Sequence, residues 1–81
     1  MSINLVCRAK GTMATIDLIQ TPTRVTYRLL GWDCLEPVKR PAEDIAHDYI
    51  EYARSIGAEE YAAGQMRHVL AHPELYEFIA E

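Results

Sequence analysis

Two histidines set four residues apart, His68 and His72, are the first residues in this chain whose spacing suggests chemistry. On one helical face that spacing offers two nitrogen ligands to a zinc ion. The metalloprotease form of the motif has a glutamate directly after the first histidine. Here that position is Val69, so the general base is missing. Pro73 follows His72 and biases it away from helical geometry. A third ligand, His47 or Glu74, would have to arrive by tertiary approach. The pair reads as surface or capping histidines, and no metal is expected.

Cys34 beside Asp33 permits a thiol nucleophile served by a histidine elsewhere in the chain. No glycine-rich turn or helix start follows Cys34 to lower its pKa or shape an oxyanion site. Cys7 and Cys34 form no CxxC pair, so they read as reduced thiols, with a disulfide between them as the alternative. Gly11, Gly31, Gly57 and Gly64 are scattered, and none belongs to a phosphate-cradling loop. The carboxylate pairs Asp44/Asp48 and Glu59/Glu60 have the right composition for acid–base work. On exposed helix faces nothing would separate their pKa values. The reading is therefore non-enzymatic, with no catalytic residue and no cofactor.

Charge is the stronger signal. Residues 1–40 hold six bases and three acids, a net of +3, whereas residues 41–81 hold two bases and nine acids, a net of -7. Within the second half, Pro41 to Glu60 carries six carboxylates against the single Arg54. The chain is a charge dipole along its length.

The elements that must position these charges follow from periodicity. Ile3, Leu5 and Cys7 alternate with Asn4, Arg8 and Lys10, Lys10-Gly11 supplies a turn, and Ala14, Ile16 and Leu18 continue an inward set. After Thr21-Pro22-Thr23, the residues Val25, Tyr27 and Leu29 alternate with Arg24, Thr26 and Arg28. The expectation is a three-stranded antiparallel meander at the N-terminus. Residues 31–40 read as a connector.

Pro41 suits a helix start, Glu43 and Asp44 suit its positive end, and Gly57 is placed to stop it. Ile45, Ala46, Tyr49, Tyr52, Ala53 and Ile56 gather on its apolar arc. A second helix is expected from about Ala58 to Ala71, burying Tyr61, Ala62, Met66, Val69 and Leu70. Gly64 inside it costs about 1 kcal/mol relative to alanine, which suggests close packing or a break. A short third helix is expected over Pro73 to Ala80, with Leu75, Phe78 and Ile79 inward. The fold class is α+β, one domain over residues 1–81, with two or three helices on one face of the sheet.

Two surfaces result. The helices display an acidic ridge of Glu43, Asp44, Asp48, Glu51, Glu59 and Glu60, while the uncovered sheet face is expected to carry Arg8, Lys10, Arg24 and Arg28. Asp44 and Asp48 are like charges four apart, which weakens a helix by a few tenths of a kcal/mol. A basic partner would relieve that repulsion and speed encounter. Trp32, the one tryptophan, either caps the end of the core or anchors an interface.

The function expected is a protein-interaction module that docks its acidic helical face on a basic, nucleic-acid-binding surface of a host protein or complex. Size and charge are of the kind found in small inhibitors carried by phages and other mobile elements, anti-CRISPR proteins included. That likeness rests on no motif. The alternative is a small DNA- or RNA-binding regulator using the arginines, since arginine forks read guanine edges. A homodimer across the open sheet edge or through Trp32 is compatible with both. No apolar run approaches the roughly 18 residues of a membrane span, and the N-terminus lacks a signal-like pattern, so the expected setting is cytoplasmic.

Overall fold

The computed structural model describes residues 3–32 and 40–81. Expectations placed on residues 33–39, Cys34 as nucleophile among them, lie outside the described residues. Along the chain come β1 (Leu5–Ala9), β2 (Thr15–Ile16), α1 (Thr23–Leu30), α2 (Ala42–Ser55), α3 (Glu59–Ala71) and β3 (Tyr76–Ala80). The three strands form one antiparallel sheet in the order β2-β1-β3, and the class is α+β.

β1 is central. It pairs with β2 through Cys7↔Ile16 and Arg8↔Thr15. On its other side it pairs with β3 through Leu5↔Ala80, Cys7↔Phe78 and Ala9↔Tyr76. Residues opposite one another share a face. Cys7, Ile16 and Phe78 therefore form the inner face, and Arg8, Thr15 and Glu77 the outer one. The β1–β2 connection turns at Gly11, whose φ of 76° suits a residue without Cβ.

Two expectations about elements are corrected. Thr23–Leu30 is a helix rather than a third strand, and it buries Thr26, Leu29 and Leu30 at helical spacing. Its boundaries explain the outcome. Pro22 stands extended just before it with ψ 149°, and Gly31 ends it in the left-handed region at φ 71°. The Gly31 N–H donates to the Arg28 carbonyl at 3.1 Å and the Trp32 N–H to the Tyr27 carbonyl at 2.8 Å, the Schellman closure. α2 closes in the same way, with Gly57 N–H on Arg54 and Ala58 N–H on Ala53. Pro41 flanks α2 from outside, at ψ 147°, rather than being its first residue.

The second correction is at the C-terminal end. Residues 76–80 form a strand instead of a helix, because pairing to β1 satisfies their backbone along a ladder that no local pattern reveals. The sheet is thus closed by chain segments from both ends, and it is not an N-terminal meander.

The core lies between the inner sheet face and the helices. Cys7, Leu29, Tyr49, Ala53 and Ala62 are fully buried, with Ala46, Met66 and Val69 nearly so. A side chain the size of Leu29 or Met66 contributes roughly 1.5–3 kcal/mol by leaving water. Tyr61 and Leu70, expected inside, are 57% and 37% exposed. The helical arc that α3 buries is narrower than its apolar composition, centred on Ala62, Met66 and Val69. Gly64 has nothing within 4 Å of where a Cβ would stand, so neither close packing nor a break accounts for it.

A buried phenol ties the layers together. The Ile19 N–H donates to Tyr49 Oη at 2.9 Å, and Tyr49 Oη donates to Gln65 Oε1 at 2.6 Å. Gln65 Nε2 in turn donates to the Asp17 carbonyl at 2.6 Å. One residue from each of α2 and α3 therefore holds the segment that leaves β2. A buried tyrosine hydroxyl needs such partners, and here it has two.

Candidate functional site: the outward face of α2 and α3

The buried residues Ile45, Ala46, Tyr49 and Ala53 point α2 at the core and leave its opposite arc in water. On that arc Glu43, Asp44 and Glu51 are exposed, and Glu60 is exposed on α3. None of these four carboxylates makes an ion pair among the described residues.

The other two acids of the ridge are internally matched. Arg40 Nη1 donates to Asp48 Oδ2 at 2.6 Å, and the Asp48 side chain is only 16% exposed. The same guanidinium nitrogen donates to the Arg28 carbonyl at 2.6 Å. Arg40 therefore caps the negative end of α1 while neutralising a carboxylate of α2. Repulsion between Asp44 and Asp48 is relieved inside the molecule, so it no longer argues for an external partner. Glu59 pairs with Arg54 at 2.8 Å on the surface, where such a pair contributes about 0–1 kcal/mol. The ridge is smaller than its sequence implied, and its free charge is concentrated on α2.

The expected basic face is not assembled on the sheet. Arg24 and Arg28 lie on α1, on the arc opposite buried Thr26 and Leu29. Arg8 is on the outer sheet face, but Glu77 from β3 sits directly across and its Oε1 accepts from Arg8 Nη2 at 3.1 Å. Lys10 is exposed in the turn after β1. Trp32 is half-buried and its ring lies against Tyr27, centroids 5.9 Å apart. It supplies the apolar contact that accompanies the Schellman closure of α1.

The histidine pair makes contacts that join two elements. His68 Nε2 lies 2.9 Å from Tyr76 Oη, and the two imidazoles meet edge-on with centroids 5.1 Å apart. α3 is thereby joined to the start of β3. A different trio, His47, Asp48 and Glu51, places one ligand atom each within 4.8 Å of one another. Arg40 already occupies Asp48, so the trio has its own counter-charge.

Cys7 is a free thiol with no solvent exposure, and burial pushes its pKa from the ordinary 9.0 to about 11. It stays protonated at neutral pH and is a poor nucleophile. Burial likewise raises Tyr49, against a lowering by the Ile19 N–H. A cleft of about 260 Å³ between β1, β2 and the start of α1 is lined by Leu5, Ile16, Asp17, Leu18, Thr21 and Thr26 among others, with no histidine or cysteine among the described residues. The arrangement offers charge for recognition, and among the described residues Cys7 has no imidazole as a hydrogen-bond partner.

Sequence reasoning missed three functional partners of the fold: Arg40, Gln65 and Glu77. Each acts on a residue distant in sequence. Only the phenol of Tyr49 carried an advance signal, since a tyrosine on an apolar arc must find a partner for its hydroxyl.

Comparison with protein-family models, with curated proteins and with solved structures gives no match to this chain. What the coordinates define is a class: a small α+β domain with a charged helical layer on a three-stranded sheet. Among the described residues no helix is long and apolar enough to cross a membrane.

Proposed function

We propose that this protein is a non-enzymatic interaction module of the cytoplasm that docks the outward face of α2, with Glu60 of α3, on a basic surface of a partner protein. One observation supports this above the others. Glu43, Asp44, Glu51 and Glu60 stand in solvent without ion pairs among the described residues, while Arg8, Arg40 and Arg54 are engaged internally. These three carboxylates gathered on the outward arc of α2, with Glu60 on α3 alongside exposed Arg67, steer association with a basic surface and give binding that weakens with salt.

The partner surface that fits best is a nucleic-acid-binding groove, whose arginines and lysines are spaced for anionic phosphates. Carboxylates projecting from a helix can stand in for those phosphates and occlude the groove. In kind, this is the action of a small inhibitor carried by a mobile element, anti-CRISPR-like in the sense of charge mimicry.

The test is charge reversal at residues that make no ion pair among the described residues. Glu43→Lys, Asp44→Lys and Glu51→Lys together are expected to weaken capture of the partner from host lysate by about tenfold or more. Asp48 must be left in place, because its carboxylate is part of the fold. If the triple variant captures the same partner with unchanged salt sensitivity, the acidic face is not the docking surface.

A second reading is favoured by Arg24 and Arg28, which share the solvent face of α1 with no ion pair among the described residues. A helix presenting two arginines one turn apart suits a nucleic-acid backbone or groove. A gel shift with mixed DNA and RNA at low salt, lost on Arg24→Glu with Arg28→Glu and retained in the acidic-face triple, would select it.

A further inference from the structure

β3 is an edge strand, and the phase of its ladder decides which backbone groups are left over. Asn4 and Glu81 exchange both hydrogen bonds, at 2.6 and 2.9 Å, and the Lys10 N–H donates to the Leu75 carbonyl at 2.8 Å. In an antiparallel ladder such bonded pairs recur at every second residue. With Val6 opposite Ile79 and Arg8 opposite Glu77, the groups of Glu77 and Ile79 point at β1. Those of Tyr76, Phe78 and Ala80 point away from the sheet. Among the described residues they make no hydrogen bond.

Edges of this sort are usually blunted by proline, lysine, a bulge or brevity. β2, at the opposite edge, is two residues long. β3 runs for five as Tyr-Glu-Phe-Ile-Ala, with neither proline nor lysine, and its register against β1 is unbroken. One edge is closed by its shortness, and among the described residues the other is open.

We propose that β3 is a homodimerisation edge, on which β3 of a second copy pairs antiparallel about a two-fold axis at Phe78. The strand is self-complementary in that register. Tyr76 faces Ala80 of the second copy, Phe78 faces its own equivalent, and every outward N–H and C=O gains a partner, two bonds at each pair. Large Tyr76 meets small Ala80, the two Phe78 rings form an aromatic cross-strand pair, and Glu77 lies opposite Ile79 rather than another acid. A slip by one residue would set outward groups against inward ones and satisfy none. A slip by two would leave an outward residue without a partner. The axis keeps the helices of both copies on one side of a continuous sheet ordered β2-β1-β3-β3-β1-β2. This pairing uses main-chain bonds and does not rest on the acidic face.

Sedimentation of the intact chain over a wide concentration series tests it, together with amide hydrogen exchange. The apparent mass should double from 9.2 kDa as concentration rises. Over the same range the amides of Tyr76, Phe78 and Ala80 should pass from rapid to slow exchange, while Glu77 and Ile79 stay slow throughout. Ala80→Pro removes one outward donor and no β1–β3 bond, so it should fold and remain at 9.2 kDa at every concentration. If Ala80→Pro fails to fold, the exchange pattern of the unaltered chain decides alone. A chain that stays monomeric throughout overturns the proposal and leaves the edge to a strand of another protein. A dimer whose Tyr76 and Phe78 amides remain fast also overturns it, and points to another surface such as Trp32. Raised salt should leave this dimer intact while weakening capture of a basic partner, so the two ideas fail separately.

Discussion

The inner seam of the helical layer and its outward face treat polar groups in opposite ways. Along the seam Tyr49 has two hydrogen-bond partners, Cys7 is sealed from water, and Asp48 at the rim is held by Arg40. On the outward face Glu43, Asp44, Glu51 and Glu60 are held by nothing among the described residues, and Gly64 faces open space. Asp44 and Asp48 make the contrast within one turn of one helix. The same residue type is structural at one position and idle at the other. Charges that the fold consumes cannot also serve a partner, and charges that the fold ignores are available to one.

The largest break in that comparison is expected from alkali. A thiol whose folded pKa is raised stabilises the fold below its unfolded value and loses that contribution as pH climbs through the folded one. For Cys7 the window runs from 9.0 to about 11. Stability is expected to fall by roughly 2–3 kcal/mol across it, with buried Tyr49 acting in the same direction. Denaturation midpoints measured at rising pH check this; a flat profile would mean the seam is open to water.

Next in size is the pair Arg40→Ala and Asp44→Ala. Removing Arg40 leaves the largely buried Asp48 carboxylate without its guanidinium and the Arg28 carbonyl with the Gly31 N–H alone, at a cost of about 2 kcal/mol. Removing Asp44 is expected to cost only about 0.5 kcal/mol, the helix-dipole contribution of a first-turn acid. Equal costs in urea denaturation would erase the distinction between the two faces.

An effect smaller than the loss at Arg40 should be a gain. Gly64→Ala adds a methyl where nothing lies within 4 Å and is expected to stabilise α3 by about 0.5–1 kcal/mol. A loss instead would show that this face is occupied in the free protein, most simply by a second copy.

Much of the helical half was legible. Pro41, the acids after it, the apolar arc Ile45-Ala46-Tyr49-Ala53 and Gly57 all signal α2 locally, and its acidic outer arc follows from the same wheel. α1 was obscured because Val25, Tyr27 and Leu29 fit period two, whereas the burial of Thr26, Leu29 and Leu30 follows the helical period. Pro22 and Gly31 at its ends were the better guide. β3 was obscured because Leu75, Phe78 and Ile79 also suit a helix, and its partner β1 lies at the other end of the chain. At the candidate site, six carboxylates were correctly located on helices. That two of them are matched by Arg40 and Arg54 depends on geometry.

By itself the sequence determined the α+β class, the two long helices, the N-terminal hairpin and the segregation of acid into the C-terminal half. These follow from local spacing, turn residues and composition, which act over a few residues. Only tertiary structure decided that the last strand pairs with the first and that Arg24 and Arg28 leave the sheet. It also decided that Asp48 is spent inside while Asp44 is not. Those outcomes turn on which distant backbone and side-chain groups satisfy one another in space, and no local period encodes that.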